Sequence, residues 1–180
     1  MKYLKIPMDR VGVLIGHKGE TKKYLEEISG VRIYIDSEQG EVAIDERTAK
    51  DPLIVLKIEN IIRAISRGFS PEHANRLMDD VVDFFIFDIC DYVGKKEQHV
   101  LRVKSRIIGR EGKTKRVLEE LTESNISIYG HTISVISDME SMDILKKAID
   151  MLLSGSRHST VYRFVESSMK RLKMEHRFNF

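Results

Sequence analysis

The sequence has one cysteine, Cys90, in 180 residues. It cannot close a disulfide within the chain, so we expect a reducing, cytoplasmic setting. Long hydrophobic runs are also missing. No apolar stretch approaches the roughly 20 residues that span a bilayer, so no membrane partner is expected. No long apolar core follows the first residues, and we expect no secretory signal. The six histidines, at 17, 73, 99, 131, 158 and 176, are scattered and keep no ligand spacing to one another or to Cys90. That argues against a metal site, a cofactor and an enzyme. Nor does charge of one sign dominate: 30 Lys and Arg face 28 Asp and Glu, for a net charge of +2.

The distribution of that charge carries more than its sum. Residues 99–122 hold seven Lys and Arg against three Asp and Glu, and residues 157–180 hold six against two. Residues 69–98 and 123–156 are net acidic. Two basic stretches suit a surface that meets a polyanion, or else two solvated helix faces. A 42% hydrophobic fraction is that of a folded chain, and the length suits two small domains.

The strongest feature is a repeat. Ile15-Gly16-His17-Lys18-Gly19-Glu20-Thr21-Lys22 is matched by Ile108-Gly109-Arg110-Glu111-Gly112-Lys113-Thr114-Lys115 at a constant offset of 93. The offset persists to Ile33 and Ile35, which match Ile126 and Ile128. A shift of two residues then falls in a turn, and Val42 and Ile44 match Ile133 and Val135. Duplicated small modules produce this pattern, and two copies are too few for a solenoid.

Each copy predicts the order β-α-α-β-β-α. In the first, strands are expected at 2–8, 31–36 and 42–44, a brief helical turn at 10–15, and helices at 20–29 and 51–67. In the second, a short helix begins at Ser70-Pro71 and residues 81–90 read as a strand carrying Phe84, Phe85 and Phe87. We expect Phe85 and Phe87 in the core. Residues 91–96 read as a loop, 99–108 as a basic helix and 113–123 as an amphipathic helix. Strands follow at 126–129 and 132–137 about a Gly130-His131 turn, then a helix near 139–153. Residues 159–174 predict a basic helix outside the repeat. The resulting organisation is 1–68 as first module, 69–80 as helical joint, 81–156 as second module and 157–180 as C-terminal helix and tail.

A Gly-x-x-Gly between two helices has a physical use. Glycine lets the main chain approach a ligand and take positive φ. The helix behind it offers free N–H groups and the positive end of its dipole to an anion. His17 and Lys18 in one turn, and Arg110 and Glu111 in the other, then flank a phosphodiester backbone. Lys22, Lys104, Arg106, Lys113, Lys115 and Arg116 add nearby charge. The bland alternative is a tight helix-helix turn with no ligand. Gly112-Lys113-Thr114 also looks like the end of a P-loop, but Ile107 stands where the first glycine is required. The carboxylate pairs Glu26-Glu27 and Glu119-Glu120 read as solvated helix faces.

These residues resemble the KH family, with Gly16-His17-Lys18-Gly19 and Gly109-Arg110-Glu111-Gly112 as signature loops. The resemblance implies an α+β fold of two eukaryotic-type (type I) KH modules, each a three-stranded antiparallel sheet packed by helices. It also implies single-stranded RNA clamped over about four nucleotides. Ile15, Ile33 and Ile35, and Ile108, Ile126 and Ile128, are implied as aliphatic floors for unstacked bases. For Ile35 and Ile128 a plain core position is an equal reading.

Gly68-Phe69-Ser70-Pro71-Glu72, Ser127-Ile128-Tyr129-Gly130 and His158-Ser159-Thr160-Val161-Tyr162 extend the resemblance to one subgroup. It is the archaeal branch of the tandem-KH small-subunit assembly factors. That implies binding near the 3′ end of small-subunit ribosomal RNA. It implies as partners a maturation endonuclease and the alpha subunit of translation initiation factor two. Glu20 stands where the second copy has Lys113, so the first module is expected to hold RNA more weakly. Two rivals are a KH-fold protein-protein scaffold and a tandem-KH role in RNA decay or chaperoning.

Overall fold

Asp51 shows how locally the helix limits are set: its side chain accepts a hydrogen bond from the Leu53 amide at 2.9 Å, and Pro52 takes the first helical position. Ser70 and Pro71 repeat the device, with the Ser70 hydroxyl accepting from the His73 amide at 3.3 Å. The structure, a computed structural model, describes residues 1–49 and 51–178. Lys50 of the expected first module, and the last two residues of the expected tail, lie outside the described residues. The chain forms two compact units, Met1–Asp80 and Val81–Phe180.

The first unit runs β1 (Lys2–Lys5), α1 (Met8–Ile15), a helical turn His17–Gly19, α2 (Glu20–Ser29), β2 (Arg32–Asp36), β3 (Glu41–Asp45), α3 (Pro52–Ser66) and α4 (Pro71–Asn75). Its antiparallel sheet has the order β1-β3-β2, with Ile44 between Lys2 and Ile33 in register. The β2–β3 turn is closed by Asp36, whose Oδ1 accepts from the amides of Glu38 and Gln39 at 2.8 and 3.1 Å. Ile33, Val42 and Ile44 of the sheet and Leu14, Leu25, Ile58, Ile61 and Ile62 of the helices form the buried interior, all of them 1% exposed or less. Truncating any one of these leucines or isoleucines to alanine would cost about 2–5 kcal/mol. The stretch after α3 folds back on it. Lys57 Nζ donates to the Met78 carbonyl at 2.7 Å, and Arg10 donates to the carbonyls of Ile65 and Phe69 at 2.8 and 2.6 Å. Residues 69–80 are therefore part of the first unit.

The second unit runs β4 (Val82–Asp88), α5 (Cys90–Val93), α6 (Glu97–Ile108), a helical turn Arg110–Gly112, α7 (Lys113–Thr122), β5 (Asn125–Tyr129), β6 (Thr132–Asp138), α8 (Met139–Leu153) and α9 (His158–Phe178). Its antiparallel sheet has the order β4-β6-β5, and Tyr129 pairs with Thr132 across the two-residue turn. The fold is α+β and the expected β-α-α-β-β-α order recurs in both units.

Two local expectations change. The strand after residue 81 ends at Asp88 rather than Cys90, and Cys90–Val93 is helical where the end of a strand and the start of a loop were expected. The Asp88 carboxylate causes this by accepting from the Cys90 amide at 2.8 Å, which favours a helix start over further strand. Phe85 is not a core residue. It is 37% exposed while Phe87 is 7% exposed. Phe85 sets its ring edge-on to Phe87 at 4.8 Å, beneath the Lys146 ammonium 4.3 Å from the ring centre. The C-terminal helix is present as expected, outside the repeat, and it packs into the core of the second unit. Val161 and Val165 are fully buried, and with Met169 they join Leu118, Leu145 and Ile149 in one core.

Candidate nucleic-acid interface

The turn between α1 and α2 and the turn between α6 and α7 have the same backbone. Gly16, Lys18 and Gly19 take φ of 76°, 51° and 80°, and Gly109, Glu111 and Gly112 take 74°, 52° and 73°. Lys18 and Glu111 pay about 1–2 kcal/mol each for the left-handed region. The same strain at the same place in both copies marks a shape that is kept.

The two glycines of each turn do different work. A Cβ on Gly16 would stand 2.3 Å from Thr21 Oγ1, and one on Gly109 would stand 2.2 Å from Thr114 Oγ1. Each first glycine thus lets the two helices close on each other. A Cβ on Gly112 would meet nothing within 4 Å, and one on Gly19 only the tip of Lys23 at 3.9 Å. Each second glycine leaves bare main chain facing open space. Behind it, α2 and α7 begin with no side-chain cap on their first amides. An uncapped helix start beside bare backbone is a seat for an anion.

The side chains differ between copies. Arg110 and Lys113 are exposed and, among the described residues, make no ion pair. His17 and Lys18 are exposed and Lys22 is half-buried, but α2 begins with Glu20, whose carboxylate already complements the helix dipole. Lys104 is half-buried on α6, lining a groove of about 480 Å³ with Leu101, Gly130 and His131. Ile108 is 37% exposed and Ile15 half-buried beside their turns.

Other candidates are buried or have partners within the chain. Ile33 and Ile126 are 1% and 3% exposed, so they are core residues and offer no floor to a base. Their neighbours Ile35 and Ile128 are half-buried. Arg116 donates to the Glu111 carbonyl at 3.1 Å and so steadies the strained turn. Lys115 pairs with Glu119 at 3.2 Å. Arg106 donates to the Ser156 carbonyl, joining α6 to the segment before α9.

Two functional features escaped the sequence. Glu26 Oε1 accepts from the Ile33 amide and Glu119 Oε1 from the Ile126 amide, both at 2.8 Å. These carboxylates are not solvated faces: they fix the following strand against the helix that carries the turn. The repeat alignment held the signal, since both residues of each pair are 93 apart. The second feature is Tyr162, whose hydroxyl reaches Thr114 beneath the second turn. Nothing in the repeat points to it. Among the described residues, no three of His, Cys, Asp and Glu come together to hold a metal ion.

Comparison with known proteins agrees with this geometry. Residues 83–170 match the eukaryotic type KH-domain (KH-domain type I), and residues 1–55 match the KH domain. A KH domain-containing protein of Methanocaldococcus jannaschii is 42% identical over 96% of this chain and 76% of its own. A crystal structure of a protein of unknown function from Aeropyrum pernix superposes with a TM-score of 0.93 at 35% identity, covering 99% of this chain and 95% of that one. A chain from the crystal structure of an a/eIF2alpha–aDim2p–rRNA complex of Pyrococcus horikoshii superposes with a TM-score of 0.87 at 43% identity, covering 94% of each chain.

Proposed function

We infer that this chain, which belongs to the tandem KH-domain family of archaeal Dim2p, binds single-stranded RNA by seating its phosphodiester backbone on the two glycine turns. One observation carries the reading: in both units a second glycine leaves bare main chain at an uncapped helix start. A phosphate there accepts amide hydrogen bonds and meets the helix dipole. Arg110 and Lys113 add unpaired positive charge at the second turn. The first turn has His17, Lys18 and Lys22 but must work against Glu20, so the second module is the stronger holder. Bases leave the turn over Ile15 and Ile108 and over the groove beside Lys104.

The RNA we assign is small-subunit ribosomal RNA near its 3′ end, bound during subunit maturation. The Pyrococcus horikoshii complex supports an rRNA ligand and, as a protein partner, the alpha subunit of translation initiation factor two. A maturation endonuclease is the further partner we propose. The role is binding rather than catalysis, and the setting is cytoplasmic. No helix among the described residues is long and apolar enough to cross a membrane.

Filter binding of single-stranded RNA at two salt concentrations tests the core of this reading. The affinity should fall with salt at a log–log slope of about −0.7 for each phosphate neutralised. A chain that ignores RNA at low salt would be a protein-protein scaffold. Crosslinking in cells, with sequencing of the attached RNA, tests the ribosomal assignment. Enrichment of messenger RNA over the 3′ region of small-subunit rRNA would overturn it.

A further inference from the structure

Two of the clefts along helix α6 each border one of the neighbouring turns. One is the groove with Lys104, Gly130 and His131, on the side of the β5–β6 turn. The other, about 610 Å³, starts at Gly109 and Arg110 of the glycine turn and runs back along α6 past Ser105, Arg106 and Arg102, with His158 of α9 as its far wall. We propose that this second cleft is an extension of the RNA site: the strand held at the Gly109–Gly112 turn continues over Arg110 and places its next phosphates against Arg102 and Arg106. The proposal rests on the RNA reading above and gives the strand a path behind α6.

Charge is the first argument. Arg102 and Arg106 stand four residues apart on one edge of α6, and Arg110 in the turn that follows lines the same cleft. Among the described residues, no carboxylate lines the cleft. Arg106 is fixed rather than free, with its guanidinium on the Ser156 carbonyl and its carbonyl against His158 Nε2 at 2.8 Å. Its buried Nε has no partner. The guanidinium sits on a neutral carbonyl and, among the described residues, pairs with no carboxylate, so its positive charge stays uncompensated beside the cleft and attracts an anion. Leu101 supplies the second argument. It is 64% exposed at the cleft mouth, an apolar surface on which a ribose or base can lie.

The repeat supplies a third argument. Counting back 93 residues from Arg102, Arg106 and Arg110 gives Asp9, Val13 and His17. The basic edge therefore belongs to the second module alone, where the turn is already the better anion seat.

RNA length separates the extension from the turn. Fluorescence anisotropy would be measured with random-sequence single-stranded RNA pools of about four nucleotides, the span of a KH clamp, and of about three times that length. Arg102 is exposed and makes no hydrogen bond among the described residues, so Arg102→Glu should keep the fold, which a thermal melt checks. The expected result is roughly fivefold weaker binding of the long pool, a salt slope smaller by about 0.7, and unchanged binding of the short pool. Arg110→Asp, in the turn itself, should weaken both pools. If Arg102→Glu leaves the long pool untouched while Arg110→Asp weakens both, the extension is wrong and the turn reading stands. Equal weakening of both pools by Arg102→Glu also overturns the extension, because a distant field rather than a path would explain it. If the unaltered chain ignores both pools, the RNA reading itself fails.

Discussion

The Tyr162 hydroxyl donates to Thr114 Oγ1 at 3.0 Å, and that same oxygen lies where it blocks any side chain on Gly109. The C-terminal helix thus braces the second glycine turn from beneath, through one threonine. Tyr162→Phe removes the brace and leaves the ring. Denaturant unfolding should show a loss of about 1 kcal/mol, the worth of one neutral hydrogen bond. RNA affinity should fall severalfold with the salt slope unchanged, since no phosphate contact is lost. A changed slope would mean that Tyr162 meets the RNA directly.

Division of labour between the two glycines predicts unequal substitutions. Gly109→Ala places a methyl 2.2 Å from Thr114 Oγ1 and 2.7 Å from its backbone nitrogen, so α7 must move. Overpacking and positive φ together should cost about 2–5 kcal/mol. Gly112→Ala meets open space and bears only the strain of φ 73°, about 1–2 kcal/mol. Its larger effect should be on RNA affinity, because the added methyl stands on the surface that the backbone of the ligand approaches. Urea melts paired with RNA titrations of the two variants check this. Equal stability losses would show that the second glycine also has a packing role.

A ranking of the modules follows from their cations. Arg110→Asp with Lys113→Asp should weaken RNA binding by about a hundredfold, or ~3 kcal/mol, and leave the melting temperature nearly unchanged. His17→Asp with Lys18→Asp should cost clearly less, because Glu20 already compromises that site. Titration of both double variants at one salt concentration decides. Equal losses would show that the carboxylate at the start of α2 is irrelevant to RNA.

How much of this could be read in advance depends on distance along the chain. The turns, their order among helices and strands, and the inward rows of isoleucine and valine are local patterns repeated twice, and duplication made them legible. Caps such as Asp51-Pro52 and Ser70-Pro71 are equally local. What failed needs a neighbour. The ending of β4 depends on Asp88 turning back on Cys90, and Ile89-Cys90 looks like strand until that bond is seen. Phe85 reads as core until Lys146, on α8, is found above its ring. Ile33 and Ile126 suited a groove floor by position, but both are buried in the core, while Ile35 and Ile128, two residues further along the same strand face, lie nearer the surface. The bond from Tyr162 to Thr114 joins residues 48 apart, and that from Arg106 to Ser156 joins residues 50 apart. No periodicity reports such pairs.

Acid should weaken the first unit through Asp45. This residue ends β3, is only 4% exposed, and receives two bonds from the Arg47 guanidinium at 3.0 and 2.8 Å together with the Arg47 amide at 3.1 Å. The Arg47 side chain, then its amide, favours the charged carboxylate and lowers its pKa from 3.8 to about 2. A group with a depressed pKa contributes its full stability above the unfolded value and loses it as pH falls through the folded one. The contribution of Asp45 should therefore be complete above about pH 4 and fade between pH 4 and pH 2. The Asp45 carboxyl carbon, followed by NMR, should titrate near 2 rather than 3.8. Asp45→Asn should be less stable than the unaltered chain at neutral pH, and the gap should close across that acid window. A gap that stays constant down to pH 2 would mean that shape, not charge, makes Asp45 matter.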